Sequence, residues 1–169
     1  VRTASSVSLV AGTYTVTIGA GGALDTSGVN SSMVAGTGTM TTITASGGGK
    51  GGTYGTNSGI GVTGGSGGGA GSDPGATGGS GNSGSYSPVE GFAGGAYTGG
   101  TDGVQAPGGG GASEVGESVG GVYGDGGDGG DGIQNLYRTG VNQWYGGGGG
   151  GMAYDNDTSA PHYIVGAGG

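Results

Sequence analysis

The sequence predicts an irregular, glycine-rich fold: a bundle of left-handed polyglycine II helices with a short N-terminal antiparallel β element and essentially no α-helix. Three observations carry that expectation. Glycine supplies 55 of 169 residues. In several runs the glycines recur every third residue, most clearly over Gly124–Gly132, where Gly124, Gly127 and Gly130 form one column, Gly126, Gly129 and Gly132 a second, and Asp125, Asp128 and Asp131 the third. Apolar residues with a helical period of 3.6 are missing throughout. A period of three fits neither an α-helix nor a strand, but it is the period of polyproline II, with three residues per left-handed turn. Two faces of such a helix here carry no side chain. Neighbouring backbones can then approach until amides and Cα–H groups reach the next carbonyls. Charged residues make up only 8% of the chain and bulky apolar ones are scarce, a composition that also fits disorder. A flexible linker, however, has no need of glycines in phase.

Taken in order, the chain divides at residue 46. Residues 1–46 read as a β-strand region with an inserted loop, and 47–169 as the bundle with its reversal loops, forming one continuous domain. Val1–Ile18 reads as strand, with Val7, Leu9 and Val10 before a turn at Ala11-Gly12. After it Tyr14, Val16 and Ile18 alternate with Thr13, Thr15 and Thr17, the period of a half-buried strand. Thr41–Ala45 is the expected partner, closing a small apolar layer over Tyr14, Val16 and Ile18, while Ala23–Met40 reads as a polar excursion. From Gly47 the glycine runs begin: 47–52, 64–71, Gly75 to Gly84 in steps of three, then Gly91, Gly94, Gly100 and Gly103. Segments 53–58, 85–90 and 153–161 hold the Asn, Asp, Ser and Pro of reversals. Collagen is excluded, since there are only four prolines and the glycine phase breaks repeatedly.

The order of these motifs resembles a known family. GTYTVTIGAGG at Gly12–Gly22, TASGGG at Thr44–Gly49, GGSGGGAG at Gly64–Gly71, PGGGGASEVGESVGG at Pro107–Gly121, DGGDGGDGI at Asp125–Ile133 and WYGGGGGG at Trp144–Gly151 together resemble the glycine-rich domain of bacteriophage tail-fibre and virion proteins. The resemblance covers about residues 7–151. It implies a polyglycine-II bundle similar to that of phage tail-tip adhesins, where a rigid base carries loops that contact the host. It also implies a virion or extracellular location, other virion or filament subunits as partners, a host cell-surface glycan or protein as a further one, and a homo-oligomer. The chain departs from that pattern in its longer, more aromatic loops, at Tyr137, Trp144 and Tyr145.

Composition narrows the function. The net charge is −8 and the only basic residues are Arg2, Lys50 and Arg138, which argues against nucleic-acid binding. There is no cysteine, hence no disulfide scaffold or thiol chemistry. No run of eighteen apolar residues offers a membrane span. The chain starts without Met and stops on Gly-Ala-Gly-Gly, as a piece of a longer polypeptide would.

Each candidate chemical site has a plainer reading. Gly126–Ile133 matches the calcium nonapeptide template once, which makes Asp128 and Asp131 weak calcium candidates. A solvated acidic edge is the favoured reading, because such sites need stacked repeats. Lys50 after Gly47–Gly49 lacks the spacing of a phosphate loop. His162, the only histidine, fits a surface Pro-His-Tyr loop. Glu114 and Glu117 have no apolar surroundings of the kind that make a glycosidase acid. No catalytic residue and no cofactor are therefore expected, and the chain reads as non-enzymatic. The best binding candidate is the hairpin Ile133–Tyr145, turned by Arg138-Thr139-Gly140 and carrying Leu136, Tyr137, Arg138, Val141, Trp144 and Tyr145. Aromatics with polar tips serve recognition surfaces and sugar stacking, and serve equally to cover the bundle end or a subunit contact. Three roles follow: a structural and display module of a phage virion, a secreted microbial surface or filament protein, or an ice-binding bundle. The Asp column and irregular loops disfavour the last.

Overall fold

The computed structural model describes residues 1–55, 59–100, 105–121, 124–155 and 162–169. Among them there is no α-helix, and seven short strands form three antiparallel sheets. The first sheet holds β1 (Tyr14–Thr17), β2 (Ser31–Ala35) and β3 (Ile43–Ala45) in the order β1-β2-β3. Tyr14 pairs with Ala35 and Thr17 with Ser32, and Ser31 pairs in turn with Ala45.

Three expectations for this region are corrected. Residues 1–13 form no strand, and Val7, Leu9 and Val10 are exposed. Residues 23–40 are not all loop, because Ser-Ser-Met-Val-Ala supplies the central strand; β1 and β3 each pair with it and not with each other. Among the described residues no apolar layer covers the sheet, as Val16 is 61% and Ile18 78% exposed. Alternation here marks β-branched propensity, not burial. Val16→Asp and Thr15→Asp should therefore both leave stability within ~0.5 kcal/mol of the parent, as read by urea unfolding; a large loss at Val16 alone would restore the buried layer.

The remaining strands form hairpins. β4 (Ile133–Asn135) pairs with β5 (Gln143–Tyr145), and β6 (Met152–Asp155) with β7 (His162–Val165). The second hairpin overturns the reading of 153–161 as reversal alone, and places His162 in a strand. Residues 56–58, 103 and 156–161 of the expected runs and reversals lie outside the described residues. Gly75 leaves its expected column: with φ of +75° it closes a turn in which Ala76 N–H donates to Asp73 C=O at 2.9 Å.

The glycine runs are held by backbone bonds that step by three. Ala106, Gly109 and Ala112 donate to Met152, Gly149 and Gly146 at 2.7, 2.9 and 2.9 Å. One phase on, Gly108 and Gly111 donate to Glu117 and Glu114 at 3.0 and 2.9 Å. Gly110, on the third phase, donates to Gly67 at 2.9 Å. One segment thus serves three neighbours, one per phase, where a strand repeats its bonds every second residue. The same rule recurs: Gly67 and Ala70 bond Phe92 and Gly95, while Gly68 and Gly71 bond Val62 and Gly59. In 125–132 Gly127 and Gly130 donate to Ala106 and Gly109, and Gly129 to Ala167. Asp125, Asp128 and Asp131 are exposed while Gly126, Gly127, Gly130 and Gly132 are buried, as the three columns require.

Side-chain burial is sparse. Ala70, Ala76 and Tyr97 form a small cluster with Val119 against it, and Tyr97, which interrupts the glycine phase, is 2% exposed with its hydroxyl donating to Gly100 C=O at 3.2 Å. Glu90 is fully buried. Its Oε2 accepts from Ser46 N–H at 2.8 Å and its Oε1 from Gly84 N–H at 3.3 Å. Buried Gln105 does the same work elsewhere, donating to Asp125 C=O at 3.0 Å and accepting from Gly121 N–H at 2.8 Å.

Candidate functional site

The hairpin β4–β5 forms where expected, and Gly140 supplies the left-handed φ of +77° the turn needs. Gly140 N–H donates to Leu136 C=O at 2.8 Å. Ile133 pairs with Tyr145 and Gln134 with Trp144.

Register divides the candidate residues between two faces. Gln134 and Trp144 lie opposite one another on the exposed face, with Trp144 62% exposed. Tyr145 belongs to the other, half-buried face with Ile133, and its hydroxyl donates to Gln143 Oε1 at 3.4 Å. Tyr137 is 82% exposed in the turn, and Arg138 beside it is exposed. Tyr137, Arg138 and Trp144 are therefore available for an external contact, together with exposed Leu136 and Val141; Tyr145, paired with Ile133 away from the turn, is half-buried. Gln134, which the sequence does not single out, shares the face of Trp144 through the strand register.

The acidic column engages the backbone. Glu117 Oε2 accepts from Asp128 N–H at 2.9 Å, Glu114 Oε2 from Asp131 N–H at 3.4 Å, and Asp128 Oδ1 from Ala167 N–H at 2.6 Å. The two glutamates thus extend the three-step ladder with side-chain acceptors on the one phase that lacks a backbone acceptor. Among the described residues no three acidic or histidine side chains converge as a metal site would need; of the two calcium candidates, Asp128 has its carboxylate engaged by the Ala167 amide. Lys50 is likewise engaged: its ammonium donates to Asp25 Oδ1 at 2.8 Å, which holds that carboxyl below its usual range. Of the described residues, no helix is long and apolar enough to cross a membrane.

What this arrangement offers is a hairpin with exposed aromatic residues beside segments held by backbone bonds. No curated protein and no solved structure matches the chain. A family model described as the glycine-rich domain matches residues 1–169, and the chain belongs to that family.

Proposed function

We propose that the chain is a non-enzymatic structural and display module of a phage virion, such as a tail fibre, whose body is a bundle of left-handed polyglycine II helices. The observation that carries the reading is the three-step ladder. Segment 106–112 bonds a different neighbour on each of its three phases, which is what a helix of three residues per turn provides. Backbone torsions of Gly108–Gly111 measured in solution test it. Polyproline II values, with φ about −75° and ψ about +145°, support the helix. Torsions of antiparallel β-strand, with φ about −140° and ψ about +135°, contradict it.

The virion assignment rests on the order of the sequence motifs and on where chemical variety sits. The ladders are uniform in their chemistry, so specificity belongs to the loops, and the β4–β5 hairpin carries the exposed Trp144 and Tyr137. The partners are then other virion subunits and a host cell-surface glycan or protein, in a homo-oligomeric, extracellular particle. Combined Tyr137→Ala and Trp144→Ala should leave the melting temperature unchanged and impair either adsorption or particle assembly. Lost adsorption by intact particles marks recognition, and lost assembly marks a subunit contact. Particles that assemble and adsorb as the parent does would contradict the reading.

A further inference from the structure

A groove of about 530 Å³ runs along one side of the bundle. Residues 48–52 and 146–152 are its walls, and 66–70 and 106–110 its floor. Each of these segments leaves backbone groups without a partner among the described residues, on residues that line the groove. In the first wall Gly49 and Gly52 donate across to Ser66 and Gly69, but their own carbonyls accept nothing there. In the floor, Gly69 N–H donates to nothing, although Gly67, Gly68, Ala70 and Gly71 all donate. Along 106–110, Ala106, Gly108 and Gly109 carbonyls accept from Gly127, Gly95 and Gly130, whereas those of Pro107 and Gly110, the remaining phase, accept nothing. In the far wall Gly148 and Gly151 donate to 130 and 127, and Gly149 N–H to nothing. Pro107, Gly110 and Gly69 are buried residues, where an unpaired backbone group is rare.

The unpaired groups of the lining include the carbonyls of Gly49 and Gly52, the amide of Gly69, the carbonyls of Pro107 and Gly110 and the amide of Gly149, with the amides of Gly51, Gly147 and Gly150 beside them. An extended backbone with three residues per turn projects its N–H groups in three directions and its C=O groups between them. One such chain lying in the groove meets both walls and both floor segments with the complementary group. A β-strand, whose groups point two ways, cannot.

We propose that this groove is a slot for one extended, glycine-rich segment of about six residues, roughly 19 Å at 3.1 Å per residue, supplied by a different partner chain. The occupant needs glycine because segments seated in the bundle have no room for more. A Cβ would stand 1.8 Å from Gly79 O at Gly67 and 2.2 Å from Gly68 O at Gly94. A second copy is not the source, since its own runs at 47–52, 67–71, 106–112, 126–132 and 146–151 are already bonded within its own bundle. The slot stands on the ladder alone and holds whichever particle the chain belongs to.

The test is an NMR titration of the labelled protein with the acetylated, amidated peptide Gly-Gly-Ser-Gly-Gly-Gly-Ala-Gly, the sequence of residues 64–71, at millimolar concentration. Saturable downfield shifts of the Gly69 and Gly149 amide protons are expected. They should vanish in Gly109→Leu, whose Cβ meets only ordinary contacts at 3.5 Å from Gly149 N and 3.8 Å from Gly67 O across the groove. Gly149→Leu, with nothing within 4 Å of its Cβ, is the second blocking variant, and Gly21→Leu, equally open, is the control that keeps binding. Absence of shifts, or equal shifts with every peptide glycine replaced by alanine, overturns the slot. Shifts of the same amides that grow with protein concentration alone overturn the separate partner and assign the slot to a second copy.

Discussion

Gly108→Ala is expected to cost about 3 kcal/mol, a fall of roughly 6–12 °C in melting temperature for a chain of this size. An added Cβ would stand 1.9 Å from Asp128 O and 2.9 Å from Gly129 N. Both are backbone atoms, so no rotamer change relieves the clash and the two segments must separate. Separation weakens the bonds from Gly127 to Ala106 and from Gly130 to Gly109, now 3.0 and 2.9 Å. Gly149→Ala is the matched comparison, since nothing lies within 4 Å of its Cβ. It should be neutral, or stabilising by up to ~0.5 kcal/mol through the less flexible unfolded chain. Equal effects at the two positions in urea unfolding would mean that close backbone approach does not hold the fold.

Glu90→Ala is the second large effect, expected at about 3 kcal/mol. The fully buried carboxylate ties Ser46, on the edge of the first sheet, to Gly84 in the middle of the chain. Truncation leaves both N–H groups without their acceptor and opens a void among close-packed backbone. Glu90→Gln retains one acceptor oxygen and should lose about half as much. A Glu90→Ala protein as stable as the parent would show that water replaces the carboxylate at no cost.

The period-three columns are legible because glycine phase is a property of sequence alone. The burial of Gly126, Gly127 and Gly130 beneath an exposed Asp row follows directly from it. The β4–β5 hairpin is legible from its turn glycine and the aromatic residues that flank it. The first sheet is not, because Ser31–Ala35 mixes small polar and apolar residues in the manner of a loop, and only its pairing with both neighbours makes it a strand. Exposure of Val16 and Ile18 cannot be read from alternation, which reports a strand without saying whether anything covers it. The opposite placement of Trp144 and Tyr145 follows from adjacency in a strand, once the register is known. Glu90 leaves no signal: an isolated acidic residue beside Pro88 and Val89 reads as a turn, and its burial depends on amides from positions 46 and 84. The groove leaves none either, because most of its lining is glycine.

The central claim is that backbone bonds stepping by three, shared among three neighbours per segment, hold this chain together. Through-hydrogen-bond scalar couplings measured by NMR in segment 106–112 test it most directly. The account expects couplings from the Ala106, Gly109 and Ala112 amides to the carbonyls of Met152, Gly149 and Gly146, and from Gly108 and Gly111 to those of Glu117 and Glu114. Couplings that step by two residues to a single neighbour, or none in this segment, would contradict it.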